Sequence, residues 1–460
     1  MRGILLLLLA LVQCGAANAE PTAAAAQGRP LVLLGGMLLD GYEAQPIHDA
    51  AVVIEGDRIV AANARHRVEI PANAQVIDTR GKTIMPGLVD LHVHLDLIGH
   101  GDYARYYEFL RGLERLPEAM PIAAKQMIRA GVTSAVDLGT PFQILDTRRR
   151  IDAGEIPGPR LTISGPWITR IAMDGVPPGY ENVVSSPEEA RRATRANIER
   201  GADVIKTWLG LTAEDLAAVV DEAHRHGKKV HAHVYQPAEI RLAIDAGVDV
   251  LQHVGSARNP PYAEDLLMEI AHRQIPVVQT VSHRIWVYPA TVAFPARLQD
   301  PALERDMPAD FYAELQASFQ DFHRLSYFAE IGIETRNARR AGSQFIEANA
   351  YMGVGTDAAS PLNFHFEAMW REMSALVDLG MTEVQVISAA TKTGAEILGR
   401  GKELGTLEPG KLADLIVVDG DPLADIGAMK YVVLTIRGGV PWFDPQGKVL
   451  AGVEAVGRPL

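Results

Sequence analysis

Two hydrophobic rhythms divide the chain. Near both ends, apolar residues come in short runs of β character set off by turn residues. In front these are Leu31–Leu34, Ala51–Glu55, Arg58–Ala62 and Ala74–Asp78; behind, Leu415–Asp419, Tyr431–Arg437, Pro441–Phe443 and Lys448–Gly452. Gly56-Asp57 between two of the runs reads as a hairpin turn. The long middle follows another rhythm: a helix-like stretch closes on a glycine, a short apolar strand follows, and a polar residue arrives at its end. Arg129-Ala-Gly131 leads to Asp137, Glu199-Arg-Gly201 to Lys206, and Arg225-His-Gly227 to His233. Asp245-Ala-Gly247 leads to His253, and Ala350-Tyr-Met-Gly353 to Gly355-Thr356-Asp357. Glycine just past a helix adopts the left-handed cap without a Cβ clash. Helices alternating with short buried strands predict βαβ units and a parallel sheet.

Eight strands fall at 84–94, 132–137, 159–164, 203–208, 229–233, 249–253, 275–279 and 354–357. Eight such units predict an α/β fold, a (β/α)8 TIM barrel over 84–404, with its active site at the C-terminal ends of the strands. The β-rich segments 30–83 and 405–460 predict one small β-sandwich domain built from both chain ends. Between the seventh and eighth strands, residues 280–344 form an insertion with helical segments at Pro301–Arg324 and 328–348. Its place over the barrel mouth suits a lid, and equally suits added helical packing.

Composition narrows the picture. A chain of 460 residues, 48% hydrophobic, is long enough for a barrel and a smaller domain. The net charge of −13 argues against a nucleic-acid partner held through phosphates. Residues 1–19 read as a signal peptide: Arg2, the apolar run Ile4–Val12, and Ala17-Asn18-Ala19 before Glu20. The expectation is export to the periplasm or beyond, with 20–29 as a flexible leader. Lipid anchoring through Cys14 is the less favoured reading, because Gln13 is unusual before such a cysteine. No membrane span is expected, since the apolar run is too short to cross a bilayer. Cys14 is the only cysteine, so the exported chain would carry no disulfide and no thiol ligand. A small-molecule substrate is the expected partner, and a homo-oligomer is left open.

The chemistry gathers at strand ends. His92 and His94 stand at i and i+2 of the first strand and project the same way. His224 and His226 have the same spacing near a helix end, where i and i+2 do not face one another, and read as a polar helix terminus. His92, His94, Lys206, His233, His253 and Asp357 together suit a metal site of nitrogen and oxygen ligands. In His231-Ala-His233 the later histidine is the expected ligand, because it lies as far past its capping glycine as His253 does past its own. His231 then belongs to the layer below. Burial lowers the pKa of a lysine toward the neutral amine. A neutral Lys206 can take up carbon dioxide as a carbamate and bridge two cations like a long carboxylate; the plainer alternative is an ion pair with a neighbouring acid. His283 and His365 follow strands seven and eight and are candidates for substrate contact, whereas His272 and His323 belong to helices. Arg170, Arg284 and Trp286 are candidates for a substrate carboxylate or ring.

These residues carry a resemblance. His92-Val-His94, Lys206, His233, His253 and Gly355-Thr356-Asp357 resemble the amidohydrolase superfamily in its binuclear, carboxylated-lysine form. The run Pro86–His94 is similar to that superfamily's first strand, and Leu404–Val418 to its return into the small β domain. The segment from His233-Val-Tyr-Gln-Pro to Gln252-His253 is similar to the imidazolonepropionase-related branch, which includes prolidase-like dipeptidases and ochratoxin-hydrolysing amidases. The resemblance implies an enzyme: a metal-dependent hydrolase cleaving an amide in a dipeptide or N-acyl amino acid, ochratoxin-like amides included. It implies two divalent ions, zinc the expected metal. His92, His94 and Asp357 would hold the more buried ion and His233 and His253 the more exposed one, with carboxylated Lys206 between them. A bridging hydroxide would attack the carbonyl, Asp357 would move the proton to the leaving amine, and Tyr235 would donate to the oxyanion. The alternatives are a one-metal deaminase or cyclic-amide hydrolase, and a phosphotriesterase or lactonase. A scaffold without activity would be expected to have lost ligands, and all six positions are occupied.

Overall fold

In the computed structural model, which describes residues 28–443 apart from 44, 258–260, 294, 323–324, 326–327 and 329, the middle of the chain alternates strands with helices. The expected signal peptide, most of the leader, the Lys448–Gly452 run and His323 lie outside the described residues. Strands Leu88–Val93, Val132–Asp137 and Arg160–Ile163 form one parallel sheet. A second parallel sheet runs in the order Glu181–Val183, Trp167–Thr169, Val204–Thr207, Lys229–His233, Val250–Gln252, Val277–Val278. Helices follow the strands in turn, among them Leu116–Arg129, Ile144–Asp152, Pro187–Glu199, Ala213–Arg225, Pro237–Ala246 and Glu264–His272.

The ladder breaks in two places, each with a local cause. The third predicted strand, 159–164, stops at Gly165-Pro166, where Gly165 takes φ +65° and Pro166 has no N–H to donate. That strand, Arg160–Ile163, stays with Val132–Asp137; a short strand beyond the break that was not predicted, Trp167–Thr169, pairs with Val204–Thr207. One run of chain thus joins the two sheets, reinforced by the Asp203 N–H donating to the Ile163 carbonyl at 2.8 Å. The predicted eighth strand, 354–357, forms no ladder. Single parallel bridges tie Met352 to Val277 and Ala358 to Val93, and the left-handed backbone of Asp357 (φ 56°) stands in the way of regular pairing.

Four of the five expected glycine caps are left-handed: Gly131, Gly201, Gly227 and Gly247. The fifth differs. Asn349 (φ 54°) takes the left-handed position after helix Ile331–Glu347, as its short polar side chain permits. Gly353 is there for space, since a Cβ would come 2.3 Å from Leu91 Cδ1.

The chain ends build two further sheets. Leu31–Leu34, Ala50–Glu55, Arg58–Ala64 and Gln75–Asp78 make one, with the Gly56-Asp57 turn where expected. The other orders Val440–Phe443, Val432–Arg437, Leu415–Val418, Thr83–Pro86 and Met37–Leu38, mixing both termini. Leu33, Val52, Ile54, Ile84, Leu415 and Ile436 share one buried core across the two sheets, each contributing roughly 1.5–3 kcal/mol for a large apolar side chain. Thr83–Pro86 and Leu88–Val93 are separated only by Gly87, so the segment bearing His92 passes straight from this core into the parallel sheet. The insertion after Val278 folds into short helices, Pro301–Asp306 and Ala309–Ala317, before the long Ile331–Glu347.

Candidate metal centre

His92 is fully buried on its strand, and its ring is held by Gln252, a neighbour 160 residues away in sequence. The Gln252 amide faces the Leu91 carbonyl (3.4 Å) and His231 Nδ1 (3.0 Å) with its nitrogen, so its oxygen faces His92 Nδ1 at 2.8 Å. The His92 Nδ1 must then donate, which leaves the lone pair on Nε2. Asp90, two residues earlier on the same face, accepts from the His92 N–H (3.1 Å), the Thr356 N–H (3.1 Å) and the Thr356 hydroxyl (2.7 Å). It ties the first strand to the Asp357 segment. Burial pushes the Asp90 carboxyl up to about 7 in spite of these three donors.

The six strand-end side chains come together. His92, His253 and Asp357 each offer a ligand atom within 4.8 Å of the others. His92 Nε2 lies 3.6 Å and His94 Nε2 3.2 Å from Asp357 Oδ1. Lys206 Nζ is 3.5 Å from His92 Nε2, and the His233 and His253 rings are 4.5 Å apart. Two of the donors have positive φ, His253 at 69° and Asp357 at 56°, and so does Thr280 at 55°, whose Oγ1 lies 2.9 Å from His253 Nδ1. For a β-branched threonine this backbone is a genuine outlier. Such strain costs of order 1–3 kcal/mol per residue and collects where side chains must be aimed.

The electrostatics favour the forms that bind metal at most of these groups; at His94 burial is outweighed by the hydrogen bond and charge of Asp357, which hold the ring above its ordinary pKa until an ion displaces the proton. Burial, with the neighbouring positive groups, holds the His92, His233 and His253 imidazoles well below their ordinary pKa, as neutral rings. Burial would raise Asp357, but the hydrogen bond from His94, a ring that Asp357 in turn holds above its ordinary pKa, outweighs it and keeps the carboxylate ionised. Burial alone brings Lys206 down to about 7, against the pull of Asp357. The alternative ion pair is absent: among the described residues Lys206 has no carboxylate within salt-bridge distance. Among the described residues, the buried His233 Nδ1 and His253 Nε2 have no hydrogen-bond partner. Three neutral imidazoles, a fourth paired with a carboxylate, and two orphaned ring nitrogens fit divalent ions.

The remaining sequence candidates divide. His231 lies below, on Gln252, as expected. His283 Nε2 reaches Asp357 Oδ2 at 3.8 Å, and His365 is buried beside His94. Tyr235 meets the His233 ring edge-on at 4.6 Å, and Arg284 Nη2 donates toward its hydroxyl at 3.4 Å. Tyr235 and Arg284 line a cavity of about 340 Å³ beside the site. Arg170 is bound instead to Asp215 by two hydrogen bonds (2.7 and 3.2 Å), and Trp286 is covered by the Arg371 guanidinium at 3.0 Å, so neither faces the centre. His224 and His226 pair with Asp249 and Glu222 on the surface. His272 ends helix Glu264–His272. Thr280, Asp90 and Trp208, whose ring lies 4.0 Å from that of His233, went unread in the sequence, and Gln252 was noted only for its part in the resemblance, with no role. The available signal was a polar residue inside an apolar strand, as in Leu88-Val-Asp90-Leu and Val250-Leu-Gln252.

Known proteins similar in sequence and fold place the chain in a family. The model described as the amidohydrolase family matches residues 83–441. The ochratoxinase of Aspergillus niger is 26% identical over 445 residues, covering 87% of this chain and 83% of its own length. The imidazolonepropionase of Streptomyces griseus is 26% identical over 425 residues, covering 86% and 90%. Among solved structures, a prolidase complexed with N-methylphosphonate-L-proline superposes with a TM-score of 0.70 at 25% identity, over 90% of this chain and 100% of that one.

Proposed function

Since the chain belongs to the amidohydrolase family and is a hydrolase of carbon–nitrogen bonds, we propose that it cleaves the amide of a dipeptide or an N-acyl amino acid at a two-metal centre. The two parallel sheets then form one (β/α)8 barrel over 84–404, its ladder interrupted at Gly165-Pro166 and along 353–357. The join through 160–169 and the bridges at Met352 and Ala358 support that reading. The sheets built from 30–83 and 405–443 are the described part of a β-sandwich domain, supported by their common core. Export through residues 1–19, with the enzyme working in the periplasm or outside the cell, belongs to the same proposal.

His92, His94 and Asp357 would hold one divalent ion, zinc by preference, and His233 and His253 the other, with Lys206 between them as a carbamate. When bound, such ions supply Lewis acidity toward a scissile carbonyl and an acidified water near neutral pH. The chain's own groups do the rest. An amine brought down to about 7 is largely unprotonated just above neutrality, the form that takes up carbon dioxide. Asp357, ionised and 3.2 Å from His94, is placed to accept a proton from water and return it to the departing amine. The Tyr235 hydroxyl, beside the His233 ring, is the donor for oxyanion charge developing on the carbonyl. Arg284, at the Tyr235 hydroxyl, supplies positive charge for a substrate carboxylate.

The observation that carries the reading is the grouping of His92, His253 and Asp357, with His94, Lys206 and His233 in contact with it and two ring nitrogens unpartnered among the described residues. Metal content of the purified protein and hydrolysis of a dipeptide and N-acyl-amino-acid panel test it. About two ions per chain and amide cleavage are expected; Lys206→Ala should lose both, with partial return of activity on adding small carboxylic acids. One ion per chain with deaminase or ring-opening activity would replace this proposal, as would full activity of Lys206→Ala without additives.

A further inference from the structure

Past the short strand Val277–Val278 the chain turns through 279–283 beside the metal centre, and every residue of the turn is buried. Two of its side chains reach the centre. Thr280 Oγ1 lies 2.9 Å from His253 Nδ1, which leaves Nε2 as the open nitrogen of that ring, and His283 Nε2 lies 3.8 Å from Asp357 Oδ2. Thr280 holds a left-handed backbone that a β-branched residue does not choose for itself. Such a conformation persists only where the surroundings impose it.

The restraint is a carboxylate delivered from another helix. Glu372 Oε1 accepts from the Val281 N–H at 2.8 Å, and Oε2 from the Ser282 N–H at 2.7 Å. The Val281 N–H belongs to the planar peptide unit that follows the Thr280 Cα, so holding it holds the ψ angle of Thr280. Glu372 sits in helix His365–Asp378, one face of which also sets His365, two turns earlier, beside His94. Glu372 is 1% exposed, and among the described residues no lysine, arginine or histidine stands within salt-bridge distance of it. Burial pushes its carboxyl up to about 7 against the two N–H donors. Capping the helical turn His283–Val287 is the plainer use of such an acid. A cap needs only a short polar side chain at the turn, and Ser282 already stands at that position. It does not call for a buried glutamate 90 residues away, whose desolvation is costly.

Resting on the two-metal reading, we propose that Glu372 is a positioning residue of the metal centre: it holds the turn so that Thr280 stays left-handed and its hydroxyl orients His253 toward the ion. The route runs from the Glu372 carboxylate through the Val281 N–H and the Thr280 backbone to the His253 ring, and touches no ligand directly.

Zinc affinity of the full-length protein, measured by competition with a chromophoric chelator, tests that route. Glu372→Gln keeps the volume but sets an NH2 group against one of the two N–H donors. It and Thr280→Val should each weaken the ion at His253 about tenfold. The double variant should be no weaker than the weaker single, because both changes act through one hydroxyl. Glu372→Asp keeps the charge, shortens the reach, and should weaken zinc as Glu372→Gln does. Lost stability alone does none of this: Val219→Ala, on the buried face of helix Ala213–Arg225, should lower the urea midpoint and leave zinc affinity at the parent's level. Parent-like affinity in either Glu372 variant would overturn the proposal. So would losses that multiply in the double variant, which would assign Glu372 an effect of charge or packing independent of Thr280. A parent that binds no zinc would defeat the two-metal reading and the proposal with it, whereas two ions in the parent and in unaffected Glu372 variants would defeat the proposal alone.

Discussion

Replacing Gln252 by leucine separates a ring-orienting role from simple packing. The amide holds His92 Nδ1 at 2.8 Å and His231 Nδ1 at 3.0 Å, and both rings are buried. Leucine fills much of the same volume but leaves two ring nitrogens without partners. Each orphaned buried polar group costs about 1–3 kcal/mol, so the metal-free protein should lose about 2–4 kcal/mol once the added apolar contact is credited. The larger consequence falls on the metals. Without its acceptor the His92 ring can turn, or carry its proton on Nε2 and lose the lone pair that faces Asp357. Loss of such an outer partner lowers metal affinity about 10- to 100-fold, equivalent to roughly 1.4–2.8 kcal/mol. Competition against a chromophoric chelator measures the affinity, and urea unfolding of the metal-free protein measures the stability. Gln252→Glu keeps an acceptor for His92 and should retain affinity far better than Gln252→Leu. If Gln252→Leu binds metal within about threefold of the parent while losing stability, the residue packs and does not orient, and the tautomer argument fails.

Other outcomes follow from the same geometry. In the metal-free protein the folded pKa of Lys206, about 7, lies below its ordinary 10.5. Between those values the unfolded chain holds the extra proton, so stability rises with pH across that window and the penalty is full below it. Lys206→Met should flatten this rise, and parallel urea-midpoint profiles for the two proteins would contradict it. Thr280→Val removes the partner of His253 Nδ1 (2.9 Å) and should weaken metal retention about tenfold, read as ions per chain after dialysis; retention equal to the parent refutes the pairing. Gly139→Ala sets a Cβ 2.7 Å from Trp167 Cε3 and 3.2 Å from His94 Nδ1. It should cost about 1–3 kcal/mol and lower kcat, both measurable in one preparation, whereas an unchanged kcat would show His94 indifferent to its neighbour.

What the sequence made legible was periodic. Glycine after a helix and an apolar run after the glycine marked strands in order, because a parallel strand buried on both faces has little freedom of composition. Polar residues at the ends of those runs were conspicuous for the same reason, and they are the ones that meet around Asp357. What stayed hidden depends on contacts distant in sequence or on backbone that propensity disfavours. Nothing local marks Thr280 as left-handed, and β-branching argues against it. Arg170 looked free until Asp215 appeared beside it, and Trp286 until Arg371 covered it. The stop at Gly165-Pro166 was written in the residues themselves, but the short strand beyond it, Trp167–Thr169, was not, and only its pairing with Val204–Thr207 shows what the break does.

The sheet that draws on both chain ends also sets an order in time. Thr83–Pro86 leaves the ribosome early, yet its antiparallel partner Leu415–Val418 is made only near the end of synthesis. Until then an apolar edge stands unpaired immediately before the strand that carries His92. A nascent or translocating chain therefore presents a sticky, half-built edge for most of its production, and contacts of this sequence separation form slowly. Chains that stop just short of Leu415 would keep all six side chains of the metal centre and still lack the strand that covers Ile84, so incomplete copies should aggregate rather than persist as weak enzymes.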